Sequence, residues 1–166
     1  MMLLIGRKRK ALKRINSFTL VELLLVVVIL GIFIGFSVPS FRKTYLNLSS
    51  NNTARNIAFL MRYAQARAIA ERANYKLNFD SGNKRCWLEK ESVETPGLFE
   101  KVYSRLARDI ILPRDIKVEA GLNPVNFYPD GKIDSAKIYI ICNNDIKFTI
   151  STQGQIGHVE ISDSKK

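Results

Sequence analysis

From Leu23 to Phe41 the chain carries nineteen successive residues without a charge. After Arg42 the apolar positions thin to a three-four spacing at Ala54, Ile57, Ala58, Met61, Ala64 and Ala68, with Arg55, Arg62, Arg67 and Arg72 off that face. Such spacing is the signature of an amphipathic helix. Together the two stretches predict one long helix from Phe18 to about Asn74. Its weak points are Pro39, which removes a backbone donor, and Ser49 to Thr53, whose side chains compete for the backbone. Beyond Asn74 the period falls to two: Tyr75, Leu77 and Phe79 alternate with Lys76, Asn78 and Asp80, and Ser81-Gly82-Asn83 turns into a second strand through Cys86-Trp87-Leu88. Thr95-Pro96 then reads as the start of a short amphipathic helix with Phe99, Val102, Tyr103, Leu106 and Ile110 on one face, closed by Pro113. Strands resume at Ile116 to Ala120, Val125 to Tyr128, Ile138 to Cys142, Ile146 to Ile150, and a last one through Val159 and Ile161, with turns at Pro129-Asp130-Gly131 and Asn143-Asn144-Asp145. The fold expected is α+β, a long N-terminal helix packed on an antiparallel sheet.

Charge sharpens the reading of the apolar run. As a helix it spans roughly 28 Å, close to the apolar thickness of a bilayer. Arg7, Lys8, Arg9, Lys10, Lys13 and Arg14 precede it and only Arg42 and Lys43 follow at once. The positive-inside bias therefore sets the N-terminus in the cytoplasm and the domain outside. The exception in this apolar setting is Glu22. A carboxylate inside a bilayer costs about 2.5–3.5 kcal/mol at the centre and less near an interface, so it calls for a partner. A cut between Ser17 and Phe18 would create one, the new Phe18 amine. An ordinary signal peptide cut near Val38-Pro39-Ser40, or an uncut signal anchor, accounts less well for Glu22 and for the length of the run. Six of the positive charges precede Ser17, so the net charge of +11 falls to +5 after such a cut. Basicity is then largely a targeting feature.

Candidate chemistry is sparse. His158 is the sole histidine, set in an edge-like strand, and one histidine completes neither a metal set nor a nucleophile set. No nucleophile elbow, zinc-protease or phosphate-loop motif occurs. Asp130, Asp134 and Asp145 lack the spacing of a calcium loop. Neither a cofactor nor a metal is expected. Cys86 and Cys142 lack a Cys-x-x-Cys spacing; in an oxidising compartment they either pair as a disulfide or stay two buried thiols.

Ser17 followed by Phe18-Thr19-Leu20-Val21-Glu22, a basic leader before and an apolar helix after, resembles the type IV filament superfamily, the prepilins and the pseudopilins of type II secretion. The residue before the cut is Ser17 where the family usually has glycine. The resemblance implies a prepilin peptidase that cuts after Ser17 and methylates the Phe18 amine. It also implies that Glu22 pairs with the amine of a neighbouring subunit during assembly, and that Gly31, Gly35 and Pro39 loosen or pack the helix. A second, narrower resemblance rests on Arg62 to Ile69, on Val125-Asn126-Phe127-Tyr128-Pro129-Asp130-Gly131 and on Ser151 to Ile156. These look like the GspH/FimT domain of minor pseudopilins and minor pilins.

The expected organisation is a leader over 1–17, a transmembrane helix over 18–41, the periplasmic half of the helix over 42–74, a GspH-like sheet domain over 75–162 and a tail over 163–166. The function implied is that of a minor pseudopilin of a type II secretion system, a non-enzymatic subunit of the periplasmic pseudopilus, held in the bacterial inner membrane by a single pass. Its partners would be other pseudopilins or pilins, the prepilin peptidase and the inner membrane. The alternative is a FimT-like minor pilin serving pilus assembly or DNA uptake. Because Gln155 to Ile161 carry no cluster of Lys and Arg, nucleic acid is not the expected partner.

Overall fold

The computed structural model describes residues 19–82, 84–153 and 158–164, with the side chains at 36–40 and 153 outside the description. The leader, Ser17 and Phe18 therefore lie outside the described residues. The chain divides into two compact units, one up to Phe41 and one from Arg42 onward. Helix α1, Leu20–Glu71, contributes residues to both.

In the first unit the helix is apolar apart from Glu22 and exposed over 19–35. Among the described residues no helix is long and apolar enough to cross a membrane; the run Leu23 to Phe41 includes residues 36–40, outside the described side chains. In the second unit α1 turns Ala54, Ile57, Ala58, Met61, Ala64 and Ala68 into the core as the spacing predicts, joined by Leu46 and Leu60. The weak stretch Ser49 to Thr53 stays helical. Ser50 Oγ donates to the Leu46 carbonyl at 2.8 Å and Thr53 Oγ1 to the Ser49 carbonyl at 2.9 Å, so these hydroxyls bond to the helix they were expected to disturb.

The strands form two antiparallel sheets rather than one. The first has the order β3-β2-β1-β6, with β4 also on β2; its strands are β1 Tyr75–Asp80, β2 Arg85–Glu91, β3 Phe99–Lys101, β4 Ile110–Ile111 and β6 Val125–Phe127. The second has the order β5-β7-β8-β9, from β5 Ile116–Ala120, β7 Lys137–Cys142, β8 Asp145–Gln153 and β9 His158–Asp163. Both face α1, and Tyr75, Leu77, Leu88, Phe127, Ile138, Ile140 and Ile150 join the helix residues in one core. At Asn143 and Asn144, φ is 54° and 65°, the left-handed pair that a tight hairpin between β7 and β8 requires.

The short helix expected between Thr95 and Pro113 is absent; that segment returns to β2 as β3 and β4. The reversal starts at Pro96-Gly97. Gly97 sits at φ 91°, its N–H donates to Glu91 Oε1 at 2.8 Å and the Ser92 N–H to the Leu98 carbonyl at 2.8 Å. Phe99 then lies under the Lys76 ammonium, 3.3 Å from ring centroid to Nζ, a cation–π contact. Helix nucleation is costly, and two turns that fold the chain back leave too little length to offset it. Tyr103 and Leu106, on the expected apolar face, are exposed.

Cys86 on β2 and Cys142 on β7 belong to different sheets, and both are buried free thiols. Of the two alternatives open in the sequence, the structure has the two buried thiols. Cys86 stands opposite Phe79 and Ile110, Cys142 opposite Ile116 and Asp145, and burial pushes the Cys86 thiol well above its ordinary range.

Helix α1 ends three residues short of Asn74. Arg72 adopts φ 49°, and the Ala73 N–H reaches back to the Ala68 carbonyl at 3.3 Å, the bond of a Schellman cap. Glu71 sits at the negative end of the helix dipole, where a carboxylate is disfavoured. Three donors offset this: Lys90 Nζ at 2.6 Å, the Tyr75 hydroxyl at 2.7 Å and the Arg67 guanidinium. The hydrogen bond from Lys90 leads in holding the Glu71 carboxyl below its ordinary value of 4.5.

Two expectations follow for the detergent-solubilised full chain. Arg72→Gly removes the steric cost of a left-handed side chain at the cap, offset in part by added freedom when unfolded; the net gain is roughly 0.5–1 kcal/mol in a denaturant titration. Because the folded Glu71 carboxyl titrates lower than the unfolded one, its contribution is complete above about pH 4.5 and is lost as pH falls through the folded value. Glu71→Gln should lower the melting temperature at neutral pH and converge with the parent in acid; an equal deficit at both would refute this role.

Candidate assembly site

The head of α1 is built from Thr19. Its carbonyl accepts the Leu23 N–H at 3.2 Å and its Oγ1 accepts the Glu22 N–H at 3.2 Å. Thr19 is the N-cap, and Glu22 stands at the third helical position, where the dipole favours a carboxylate. The pattern Thr-x-x-Glu is a capping-box signature. Sequence reasoning took Glu22 from this motif and overlooked Thr19, although the spacing that reveals it was in the same five residues.

Glu22 is exposed in the first turn, and the Phe18 amine that the resemblance assigns to it lies outside the described residues. Gly31 and Gly35 lie farther along the same helix, where an added Cβ would meet nothing within 4 Å. Four residues apart, they share one face and leave a strip of bare backbone there. Pro39 falls within the helical span, with its side chain outside the description.

The three segments of the second resemblance converge in the domain. Gln65 Nε2 donates to the Gly131 carbonyl at 2.8 Å, and a Cβ on Gly131 would stand 3.4 Å from Ile69 Cδ1. Gly131, at φ 86°, closes the turn by donating to the Tyr128 carbonyl at 3.0 Å. Asp134 holds the base of that turn: one oxygen accepts the Asn126 backbone and side-chain N–H groups at 3.1 and 2.7 Å, the other the Tyr128 hydroxyl at 3.0 Å. That bond raises the Tyr128 phenol above its usual range. From β8, Thr152 Oγ1 donates to the Asp134 carbonyl at 2.6 Å and accepts the Ala136 N–H at 2.7 Å. The remainder of that third segment, 154–156, lies outside the described residues. The turn is thus fixed to the helix on one side and to β8 on the other.

The acidic residues considered for calcium do not meet. Asp130 pairs with Lys132, Asp134 serves the turn, and Asp145 sits in the β7–β8 hairpin beside Lys147. Among the described residues no group of three or more His, Cys, Asp or Glu could hold a metal. His158 is exposed at the start of edge strand β9.

Residues 12–38 match the prokaryotic N-terminal methylation motif. No curated protein matches the chain. Among solved structures the domain is similar to the minor pseudopilin EpsH of the Vibrio cholerae type 2 secretion system, at 8% identity and TM-score 0.61 over 71% of this chain and 98% of that one. It is similar to Escherichia coli GspH at 12% identity and TM-score 0.59, over 72% and 92%. It is similar as well to the type IV minor pilin FimU of Pseudomonas aeruginosa, at 12% identity and TM-score 0.53, over 70% and 94%. At such identities the likeness speaks for the fold. The chain thus carries the N-terminal methylation motif and a domain with the fold of these pilin-like proteins.

The Gly131 geometry yields a direct expectation. Gly131→Ala sets a side chain at positive φ against Ile69 and should destabilise the domain by about 1–2 kcal/mol. A denaturant titration showing no loss would mean that the turn is not pinned to α1.

Proposed function

We propose that the chain is a structural subunit, a minor pseudopilin that assembles with other pilin-like subunits into the periplasmic pseudopilus of a type II secretion system. The observation that carries this is the combination of a methylation motif over 12–38 with a domain similar to EpsH over 98% of that protein. The higher TM-score for EpsH than for FimU, 0.61 against 0.53, and the lack of a basic cluster on β9 favour secretion. The FimU likeness supports the second reading, a minor pilin of a type IV pilus.

In this proposal a prepilin peptidase cuts after Ser17 and methylates the Phe18 amine. The run Leu23 to Phe41 anchors the subunit in the inner membrane, its N-terminus cytoplasmic and its domain periplasmic. Glu22, held in the first turn by the Thr19 cap, faces the Phe18 ammonium of a neighbour in an apolar setting, where each charge offsets the other's desolvation. Gly31 and Gly35 let a neighbouring helix approach the backbone, and Gly35 with Pro39 lets the helix yield during extraction from the bilayer.

The test is a deletion strain complemented with the parent chain or with Glu22→Ala. Loss of protein secretion with intact piliation supports the first reading, and the reverse pattern the second. Glu22→Ala should leave the level of membrane protein unchanged and abolish assembly, since an unpartnered buried ammonium costs about 3–5 kcal/mol. Mass spectrometry of the parent should find a mature N-terminus at methylated Phe18. An intact leader, or full function of Glu22→Ala at normal level, would refute the mechanism.

A further inference from the structure

Strand β9 is the outer strand of its sheet, and the ladder shows which of its residues face outward. Thr152 gives its N–H to the Ala136 carbonyl at 3.0 Å, away from β9, and stands opposite Val159. The N–H and C=O of one residue point the same way in an antiparallel ladder. Thr152 and Val159 are therefore a non-bonded pair. Val159, Ile161 and Asp163 turn their backbone groups to the free edge, and Glu160 and Ser162 turn theirs to β8.

That edge is only partly covered. The Arg62 guanidinium donates to the Val159 carbonyl at 2.9 Å, whereas the Ile161 N–H and C=O have no partner among the described residues. Beside them runs a cavity of 580 Å³ bounded by Ala54, Arg55 and Arg62 of α1 and by Phe148, Ile161 and Asp163 of the sheet. It continues towards Asn47, Leu48 and Lys147 through the shared Asn51, Phe148 and Asp163. Its volume lies in the range of ligand clefts, roughly 300–1,000 Å³. Phe148 and Ile161 are half-buried in its floor. Arg55 and Arg62 have no carboxylate partner among the described residues. They and Lys147, which also pairs with Asp145, outnumber Asp163 at the rim.

We propose that β9 and the adjoining wall of α1 form a docking groove for an extended acidic segment of a partner protein, which adds to the sheet as a strand beyond β9. The segment's backbone pairs with the Ile161 N–H and C=O, an apolar side chain covers Phe148 and Ile161, and a carboxylate meets Arg55. Backbone pairing supplies affinity and the side-chain contacts supply selection, as in other cases of strand addition. The groove is independent of whether the filament serves secretion or a pilus.

The experiment uses the full chain in detergent, a synthetic peptide of Val-Ser-Glu-Ser repeats, which sets Val and Glu on the same face of an added strand, and a control of Val-Ser-Lys-Ser repeats. Amide hydrogen exchange at Ile161 should be fast in the free protein and slow by about tenfold or more with the acidic peptide. Peptide anisotropy should show binding that weakens with salt and weakens by about tenfold in Arg55→Glu, whose exposed side chain leaves the core untouched. Ile161→Pro removes one outward-facing N–H, a change that edge strands tolerate, and should weaken binding comparably with an unchanged circular dichroism spectrum. Three results would each overturn the proposal: equal binding of the lysine peptide, no protection of Ile161 at millimolar acidic peptide, or protection of Ile161 before any peptide is added. The last would mean that a second copy or the chain's own tail already covers the edge.

Discussion

The domain depends on one row of small side chains. Along α1, Ser50, Ala54, Ala58, Ala64 and Ala68 are buried, with the larger Leu46, Ile57, Leu60 and Met61 among them. Two sheets share this face. A row of leucines would fill the same space and push the layers apart, leaving Tyr75, Phe127, Ile138 and Ile150 without close contacts. The polar members fit because their hydroxyls bond back to the helix, so close approach does not strand a buried donor.

From that contact the rest of the domain takes its position. Strand β1 leaves the helix after a cap closed by Arg72 and Ala73, and the Glu71 cluster binds the helix end to β1 and β2. The Tyr128–Gly131 turn reaches the helix about two turns earlier, at Gln65 and Ile69. Both attachments lie on the last turns of α1, between Gln65 and Arg72. The apolar sequence over 23–41 and the folded domain make separate demands on one helix, and substitutions that suit one need not disturb the other.

Much of this was legible in the residues. The three-four spacing identified the buried face of α1 because a helix against two sheets has a true solvent side; alternation found β1 and the hairpin to β2 for the same reason. The spurious helix near Thr95 shows the limit. There the apolar spacing at Phe99, Val102, Leu106 and Ile110 is helical, yet pairing to β2 and the Pro96-Gly97 reversal prevail, and neither is visible in periodicity. The division into two sheets was hidden as well, since alternation says which face is buried and not which strand lies alongside. Of the two fates left open for Cys86 and Cys142, the structure has two separately buried free thiols, one in each sheet, a placement that spacing along the chain does not carry. At the N-terminal motif the sequence displayed the carboxylate but left its support unread: the Thr19 cap is a local hydrogen bond, inconspicuous beside a charge among apolar residues.

That cap bears on the life history of the chain. Thr19 accepts two of the hydrogen bonds that begin α1, one through Oγ1 and one through its carbonyl. Both lie on the C-terminal side of the proposed cut after Ser17, so a peptidase acting there would alter the charge at the head of the helix and leave these two bonds in place.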